Sequence, residues 1–239
     1  MTQAWNEIPV LSHRCSHAAA AVVGGWLYIC GGFDGVQSLA SAARYRADLG
    51  GKWESLPAMM EPRSHAVAAS VTGQLHVCGG KGQGSQRLRS GERFDCSRCE
   101  WVPVSPMLER RSQAAAAVVA GRLHVCGGFD GFQHLHSAEY LDCVTGCWRS
   151  LPSMSESRSS AVAAPLARCV YVCGGFDGAQ HLRSVEVLHT TTRTWSHLPP
   201  MQAARAHAAG GALWSLPRNG FPRRAHSKLN TGACIVEDL

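Results

Sequence analysis

The sequence predicts an all-β fold made of repeated four-stranded antiparallel units, and three observations carry this prediction. A nearly identical sequence motif recurs along the 239 residues, and its glycine pairs begin at Gly31, Gly79, Gly127 and Gly174. Tryptophan follows the same period of about 48 residues, at Trp5, Trp53, Trp101, Trp148 and Trp195. No segment sustains the helical period of about 3.6 residues. A fixed period of this size indicates one supersecondary unit copied along the chain.

Each unit contains four short segments with strand character. Those of the second unit are residues 66–71, 74–78, 92–95 and about 101–104, and those of the third are 114–119, 122–126, 138–141 and 148–151. Clusters of Gly, Asp, Ser and Thr separate the segments, and proline follows the last one. Four strands in a repeat of this length predict the blades of a β-propeller.

The strands also carry predictions about burial. The run Leu27–Cys30 is continuously apolar, which predicts a sheet covered on both faces. The alanine-rich first strand, such as 18–23, suits the crowded position nearest the propeller axis. The tryptophans are expected to fill the space between blades. Small buried side chains are expected at Cys30, Cys78, Cys126 and Cys173, and half-buried packing residues at His76 and His124.

One segment identifies a family resemblance. Trp53, Trp148 and Trp195 each open a Trp-x-x-Leu-Pro-x-Met segment, and Trp101 opens a looser copy. Together with the strand that ends in Gly-Gly, this pattern resembles the kelch repeat over about residues 5–213. The GGFDG motif is most similar to the kelch domains of kelch-like BTB adaptor proteins. The resemblance implies a kelch-type β-propeller of four-stranded antiparallel blades, with four complete repeats and partial repeats at both ends.

The repeat divides residues 1–213 into blade-like units, whereas residues 214–239 break the pattern and are expected to form a divergent, poorly ordered tail. The units are about 14–61, 62–109, 110–156 and 157–203, with partial strands at 5–9 and 205–213. If the two partial pieces shared one blade, the ring would close on five blades. However, no Gly-Gly follows Leu213 at the due distance, and kelch propellers resemble six-bladed rings more often. The chain is therefore expected to be part of a longer propeller.

Composition excludes several classes of protein. The net charge of +6 is a mild basic bias without lysine or arginine runs, so we predict no nucleic-acid partner. The first residues lack the pattern of a secretory signal, and no apolar stretch approaches the roughly 18 residues of a membrane span. The eleven cysteines, an odd number, do not indicate a disulfide framework. We therefore expect a cytoplasmic or nuclear protein without a membrane partner.

Two cysteine pairs leave alternatives open. Cys96 and Cys99 have the spacing of half a zinc site, and Cys143 and Cys147 echo it one unit later. Ordinary turn cysteines are the favoured interpretation, and a reactive or disulfide pair or a zinc site are the others. We predict no metal and no cofactor. Because no Gly-x-Ser-x-Gly or His-Glu-x-x-His motif occurs, we also predict no catalytic residues.

Two sets of loops are the predicted partner-binding site, because the kelch resemblance implies that they emerge together as a peptide-binding face. The loops between units contribute Arg14, Ser16, His17, Arg63, Ser64, His65, Arg111, Ser112, Gln113, Arg158, Ser159 and Arg205, and the loops after Gly-Gly contribute Phe33, Asp34, Gln83, Phe129, Asp130, Phe176 and Asp177. Arginine offers a planar donor fork for carboxylate or phosphate, and phenylalanine offers an anchor. The alternative is that Arg and Asp form ion pairs between adjacent loops, which stabilise the rim of the propeller without contacting a partner. The second unit lacks the Phe-Asp pair, and selectivity could reside there.

The sequence therefore predicts a non-catalytic module that recognises an acidic or phosphorylated segment of a partner protein. The resemblance implies substrate recognition for a cullin-type ubiquitin ligase, through BTB and BACK domains outside this sequence. The alternatives are an actin- or cytoskeleton-binding protein and, less favoured, a kelch-fold metal-dependent enzyme similar to galactose oxidase. Replacing Arg63, Arg111 and Arg158 by alanine is expected to abolish partner binding without unfolding.

Overall fold

The computed structural model describes residues 7–11 and 14–207, together with the backbone of two further strands, Ala209–Ala212 and Ala233–Val236. Four four-stranded antiparallel sheets follow one another along the chain. Within the described residues the only helical element is a short 3-10 turn at Ala47–Leu49. The prediction of an all-β protein with four-stranded antiparallel blades is confirmed.

In every sheet the spatial order of the strands is their order in the chain. The first sheet contains β1 Ala19–Val23, β2 Trp26–Cys30, β3 Ala42–Tyr45 and β4 Trp53–Leu56, and the second β5 Val67–Val71, β6 Gln74–Cys78, β7 Gly91–Asp95 and β8 Glu100–Val104. The third contains β9 Ala115–Val119, β10 Arg122–Cys126, β11 Ala138–Asp142 and β12 Cys147–Leu151, and the fourth β13 Val162–Leu166, β14 Cys169–Cys173, β15 Val185–His189 and β16 Thr194–Leu198. This simple meander lets each repeat form one blade by local pairing.

The first strands of neighbouring sheets pack against one another, so that β5 lies between β1 and β9, and β13 lies beside β9. Their alanines and valines leave room for this close approach, and the prediction that they lie innermost is confirmed. The strand β17, Ala209–Ala212, extends the series beside β13. It pairs in parallel with β18, Ala233–Val236, in a segment where the repeat predicts no strand. The pair differs from a blade, in which the second strand is antiparallel to the first.

Apolar side chains fill the space between successive sheets. Val23, Tyr28 and Met59 of the first sheet and its linker pack with Leu75 and Trp101 of the second. The indole Nε1 of Trp101 also donates to the Pro57 carbonyl at 2.8 Å. The same bond joins Trp148 to Ser105, Trp195 to Pro152 and Trp53 to Pro9. The predicted interblade role is confirmed for Trp101, Trp148 and Trp195. Trp53 belongs to the first sheet, and Pro9 lies against it as Pro57 lies against Trp101.

The repeated cysteines pack as expected. Burial raises the pKa of the Cys30, Cys78 and Cys126 thiols to about 12, so these side chains are neutral hydrophobes. His76 and His124 are more deeply buried than predicted, at 4% and 3% exposure. Cys96, Cys99 and Cys147 are exposed free thiols in the hairpins between third and fourth strands. No described helix has the length and apolar character that crossing a bilayer requires.

Candidate partner-binding face

Both predicted sets of loops lie at the same end of the molecule. Isolated β-bridges join Ser16 to Phe33, Ser64 to Lys81, Ser112 to Phe129 and Ser159 to Phe176. We call this end the loop face; it comprises residues 14–18, 31–41, 57–66, 79–90, 105–114, 127–137, 152–161, 174–184 and 199–207. The opposite end carries the turns between first and second strands and between third and fourth strands. The fold therefore brings the predicted site residues to one end, but it exposes only some of them.

Three of the predicted arginines are buried. Arg63, Arg111 and Arg158 are 1%, 2% and 0% exposed. The Nε atom of Arg111 lies 2.7 Å from Oε1 of Glu139, which is itself 1% exposed. Its Nη1 donates to the carbonyls of Gly127 at 2.8 Å and Ser137 at 3.1 Å. Arg63 and Arg158 make the equivalent ion pairs with Glu92 and Glu186, at 2.9 Å each.

The backbone of the same arginines holds the preceding sheet. The Arg111 carbonyl accepts from Gly80 N at 2.7 Å, and its N–H donates to the Leu88 carbonyl at 3.0 Å. Glu139 completes the arrangement, because its Oε2 accepts from the N–H of Leu108 in the linker at 2.7 Å. Each buried arginine thus fastens one linker to two sheets, with its charge paired and its donors satisfied.

The glycine pair is part of the same contact between sheets. A Cβ atom on Gly79 would lie 2.4 Å from the Arg111 carbonyl oxygen, and on Gly127 it would lie 2.2 Å from that of Arg158. Both glycines also have φ near 65°. Only glycine tolerates this approach and this conformation together, so the Gly-Gly signature and the linker arginine are two halves of one interblade joint.

Burial corrects the expectation that these arginines contact a partner and that they can be replaced without unfolding. It also corrects the alternative that they pair with Asp, because their partners are glutamates of the third strand. The repeated glutamate column Glu92, Glu139 and Glu186 was the sequence signal for this pairing. The first unit has Ala43 in that column, and Arg14 is exposed. Arg205, after the fourth unit, is half-buried.

The predicted serines serve the loops as well. Ser64, Ser112 and Ser159 are at most 2% exposed. Ser112 Oγ donates to the Phe129 carbonyl at 3.1 Å, and Ser159 Oγ donates to that of Phe176 at 3.3 Å. These hydroxyls tie each linker to the loop beside it, and their burial corrects their assignment to a partner. Ser16, which precedes the first sheet, is exposed.

The three predicted aspartates are engaged within their own loops. Oδ1 of Asp34 accepts from the N–H groups of Val36 and Gln37, both at 2.7 Å. Asp130 and Asp177 repeat the pattern. Backbone hydrogen bonds, the largest from Gln37 and Gln180, lower the pKa of Asp34 and Asp177. Their main role is to close the turn that follows Gly-Gly.

His17, His65 and Gln113 belong to a ring of residues around the axis, which also includes Ser160 and His207. From His65 to His207, each N–H in this axial ring donates to the carbonyl of the preceding member, at 2.7–3.0 Å. All five have φ between 52° and 55°. Their side chains line a cavity of about 250 Å³ at the centre of the loop face. The rings of His17 and His65 stack there with centroids 4.0 Å apart.

The loop of the second unit, residues 81–90, differs from its three counterparts. The hydrogen bond from the leucine N–H back to the second glycine spans Gly80 to Leu88, one residue more than in the other units. The loop has no carboxylate, and it places Lys81 and Arg87 against the rings of Phe33 and Phe129, at 6.0 and 5.2 Å. We call residues 81–90 the second-unit loop.

Arg87 donates to the Ser85 carbonyl at 2.9 Å and, like Lys81, lies over a phenylalanine ring, but no cation of the second-unit loop pairs with a described carboxylate. Arg89 and Arg110 are exposed, and the latter donates to the Arg87 carbonyl at 2.9 Å, so the two segments are adjacent. The Nε atom of Arg87 is the only buried side-chain N or O atom in the described part of the chain that has no hydrogen-bond partner. Gln83, predicted from the sequence, is exposed at the tip. Arg87 and Arg110 were missed because they break the repeat, and Arg89 was missed although Arg183 has the same place in the fourth unit.

Exposed apolar side chains also lie on the loop face and were missed. Phe132 is 96% exposed and Val36 is 87% exposed, at equivalent loop tips. Met60 and Leu108, in the linkers, are 62% and 51% exposed. The predicted anchors Phe33, Phe129 and Phe176 are only half-exposed, because neighbouring loops cover them. The signal for Phe132 was a variable position inside a constant motif, where the other units have Val36 and Ala179.

Comparisons with known proteins agree with this architecture. A family model described as "KLHDC2/KLHL20/DRC7 Kelch-repeats domain" matches residues 49–216, and one described as "Kelch motif" matches residues 14–60. No curated protein matches the chain. A solved structure described as "Structure of YjhT" is similar with a TM-score of 0.76 and 17% identity, over 86% of this chain and 72% of that one. At this identity the likeness concerns the fold alone.

Proposed function

Because the chain belongs to the KLHDC2/KLHL20/DRC7 kelch-repeats domain family, whose propellers are interaction modules, we propose that it recognises an acidic or phosphorylated segment of a partner protein on its loop face. Recognition centres on the second-unit loop and on Phe132. The module acts by binding, without catalysis.

One observation carries this proposal: exposed cations that form no ion pair lie beside an exposed aromatic side chain. A Cβ atom on Gly131 would be 3.4 Å from Cγ of Arg87, so the loop that bears Phe132 touches the second-unit loop. Arg89 and Arg110 present guanidinium forks that suit carboxylates or phosphates. Phe132 offers the kind of aromatic anchor that dominates many interfaces. An acidic segment with an apolar side chain nearby matches both features.

The test compares two double variants that remove the same charge, one from the loop face and one from elsewhere on the surface. Arg89→Gln with Arg110→Gln removes two exposed cations of the loop face, and Arg98→Gln with Arg149→Gln removes two exposed cations elsewhere. Proteins recovered on immobilised wild-type protein are identified, and the affinity of the purified partner is measured for both variants. We expect a loss of about tenfold or more for the first variant only. Equal affinities would overturn the assignment of the loop face.

Two further measurements define the partner's chemistry. Phosphatase treatment of the recovered partner distinguishes a phosphorylated segment, whose binding is lost, from an acidic one, whose binding is retained. Affinity should also fall as salt rises, because exposed charges are screened. Binding that resists both treatments would argue against a charged segment.

The finer role we propose is substrate recognition for a cullin-type ubiquitin ligase, as in the BTB adaptor proteins that the GGFDG units resemble. Recovery of a cullin with the native full-length gene product tests this role, and recovery of none counts heavily against it. Co-sedimentation with actin filaments tests the cytoskeletal alternative. The free thiols of the described cysteines suit a reducing compartment, so we place this activity in the cytoplasm or nucleus.

A further inference from the structure

A second surface feature lies at the opposite end, between the third and fourth sheets. It is a cavity of about 260 Å³. Its lining includes three arginines, Arg122, Arg168 and Arg193, from three different strand ends and turns. Tyr140, Thr190 and Thr191 add hydroxyl groups. None of these residues belongs to the loop face, and the proposed protein recognition does not use them.

Tyr140 fixes the geometry of this cavity. Its ring is 3% exposed and is stacked on that of His124, with centroids 5.7 Å apart. The guanidinium carbons of Arg122 and Arg193 lie 5.5 and 5.7 Å from the centre of the same ring. Nη2 of Arg193 donates to the tyrosine hydroxyl at 3.2 Å. Having accepted that bond, the hydroxyl still has its own hydrogen to donate to a ligand.

The cavity has more positive charge than its surroundings neutralise. Arg122 has a carboxylate neighbour, Asp142, whose Oδ2 is 3.9 Å from its Nη2. Arg168 and Arg193 form no ion pair with any described carboxylate. Three guanidinium groups and one carboxylate therefore leave an excess of two positive charges. Like charges held around one cavity repel each other, and a bound dianion would relieve that repulsion.

The repeat supplies an internal control for this interpretation. The equivalent cavity between the second and third sheets is lined by Gln74, His76, Arg93 and Gly146, in the places of Arg122, His124, Tyr140 and Arg193. It contains one arginine, Arg93, which lies 3.4 Å from Gln74 Oε1 and 4.0 Å from Asp95 Oδ2. The three converging arginines are thus a departure of the third and fourth units, and the fold does not require them.

We propose that this cavity binds a small phosphate monoester, held by Arg122, Arg168 and Arg193 and by the hydroxyl of Tyr140. A phosphate monoester has a charge near −2 at neutral pH, which matches the excess of positive charge. Its oxygens accept the paired N–H groups of guanidinium with good geometry. The size of the cavity favours a small molecule over a protein segment or a nucleic acid.

The test titrates glycerol 3-phosphate into the full chain at constant ionic strength and follows binding by calorimetry and by the unfolding midpoint. We expect saturable binding of glycerol 3-phosphate that inorganic phosphate competes for and that malonate, a dicarboxylate, does not. Arg168→Gln and Arg193→Gln should each weaken binding about tenfold or more, because each removes a charge-assisted contact. Tyr140→Phe should weaken it several-fold.

Arg93→Gln, in the equivalent cavity, is the matched control and should leave the affinity unchanged. Arg168 and Arg193 are exposed, and the unfolding midpoint of each variant without ligand verifies that it folds. Three results would overturn the proposal: no binding by the wild type at 10 mM glycerol 3-phosphate (about the weakest affinity of interest), equal loss in Arg93→Gln, or equal binding of malonate. Arg89→Gln with Arg110→Gln should leave phosphate binding intact, so that failure of one proposal does not decide the other.

Discussion

Arg110 and Arg111 are neighbours in the chain, yet they belong to two different parts of the molecule. Arg111 is 2% exposed and pairs with Glu139, whereas Arg110 is exposed and donates only to a backbone carbonyl of the second-unit loop. Arg111 has counterparts in Arg63 and Arg158, and each of them joins two sheets. The residues around Arg110, by contrast, depart from the repeat. In this chain, the residues that repeat regularly form the scaffold, and we propose that the irregular ones form the partner-binding surface.

The largest expected effect is the difference in stability between variants of Arg111 and of Arg110. Arg111→Ala should lower the free energy of unfolding by about 3–5 kcal/mol, because it leaves the buried charge of Glu139 without its partner. Arg110→Ala should change it by less than about 1 kcal/mol. Urea denaturation followed by tryptophan fluorescence measures both. Equal effects would show that the linker arginine is not a structural joint.

A second prediction tests the apolar side of the same joint. Trp148 is 7% exposed and packs with Val71 and Leu123 between the second and third sheets. Trp148→Ala should cost about 3–5 kcal/mol of stability, mainly through lost burial and the cavity left behind. The variant is compared with the wild type by chemical denaturation. A cost below about 1 kcal/mol would contradict the interblade packing.

A third prediction concerns the axial ring and pH. Burial, and then the nearby charges of His17, Arg87, His207 and Lys81, lower the pKa of His65 to about 4. The unfolded chain therefore binds a proton first, and stability should fall as pH drops from about 6.5 to about 4. His65→Gln copies Gln113 of the next unit and should remove part of this loss, about 1 kcal/mol after allowance for the half-exposed ring. Parallel pH profiles for the two proteins would contradict the shifted pKa.

The smallest effect on stability is expected at the loop tip. Phe132→Ser should change the free energy of unfolding by less than about 0.5 kcal/mol, because the side chain is 96% exposed. The same change should weaken binding of the recovered partner by about tenfold, as expected for an aromatic anchor. Val36→Ser, at the equivalent tip of the first unit, is the control for a general effect of apolar loop tips. Unchanged affinity in Phe132→Ser would remove this residue from the site.

Period, strand positions and interblade tryptophans could all be predicted from the sequence, because each depends on a pattern that recurs in every unit. The two loop sets and their common end could also be predicted, through the kelch resemblance. The roles of Arg63, Arg111 and Arg158 could not, because a repeated arginine looks the same whether it faces a partner or a buried glutamate. Only the third-strand glutamates distinguish the two, and they are 28 or 29 residues further along the chain. Phe132, Arg87 and Arg110 were missed because each occurs in one unit only.

The most direct test of the central claim compares two equally exposed positions at opposite ends. Phe132 on the loop face and Val144 in the hairpin between β11 and β12 are both 96% exposed. A photo-crosslinking amino acid is placed at each position in turn, and crosslinks to the purified partner are mapped. We predict efficient crosslinks from position 132 to an acidic or phosphorylated segment, fewer after Arg89→Gln with Arg110→Gln, and none from position 144. Crosslinks mainly from position 144 would contradict recognition through the loop face.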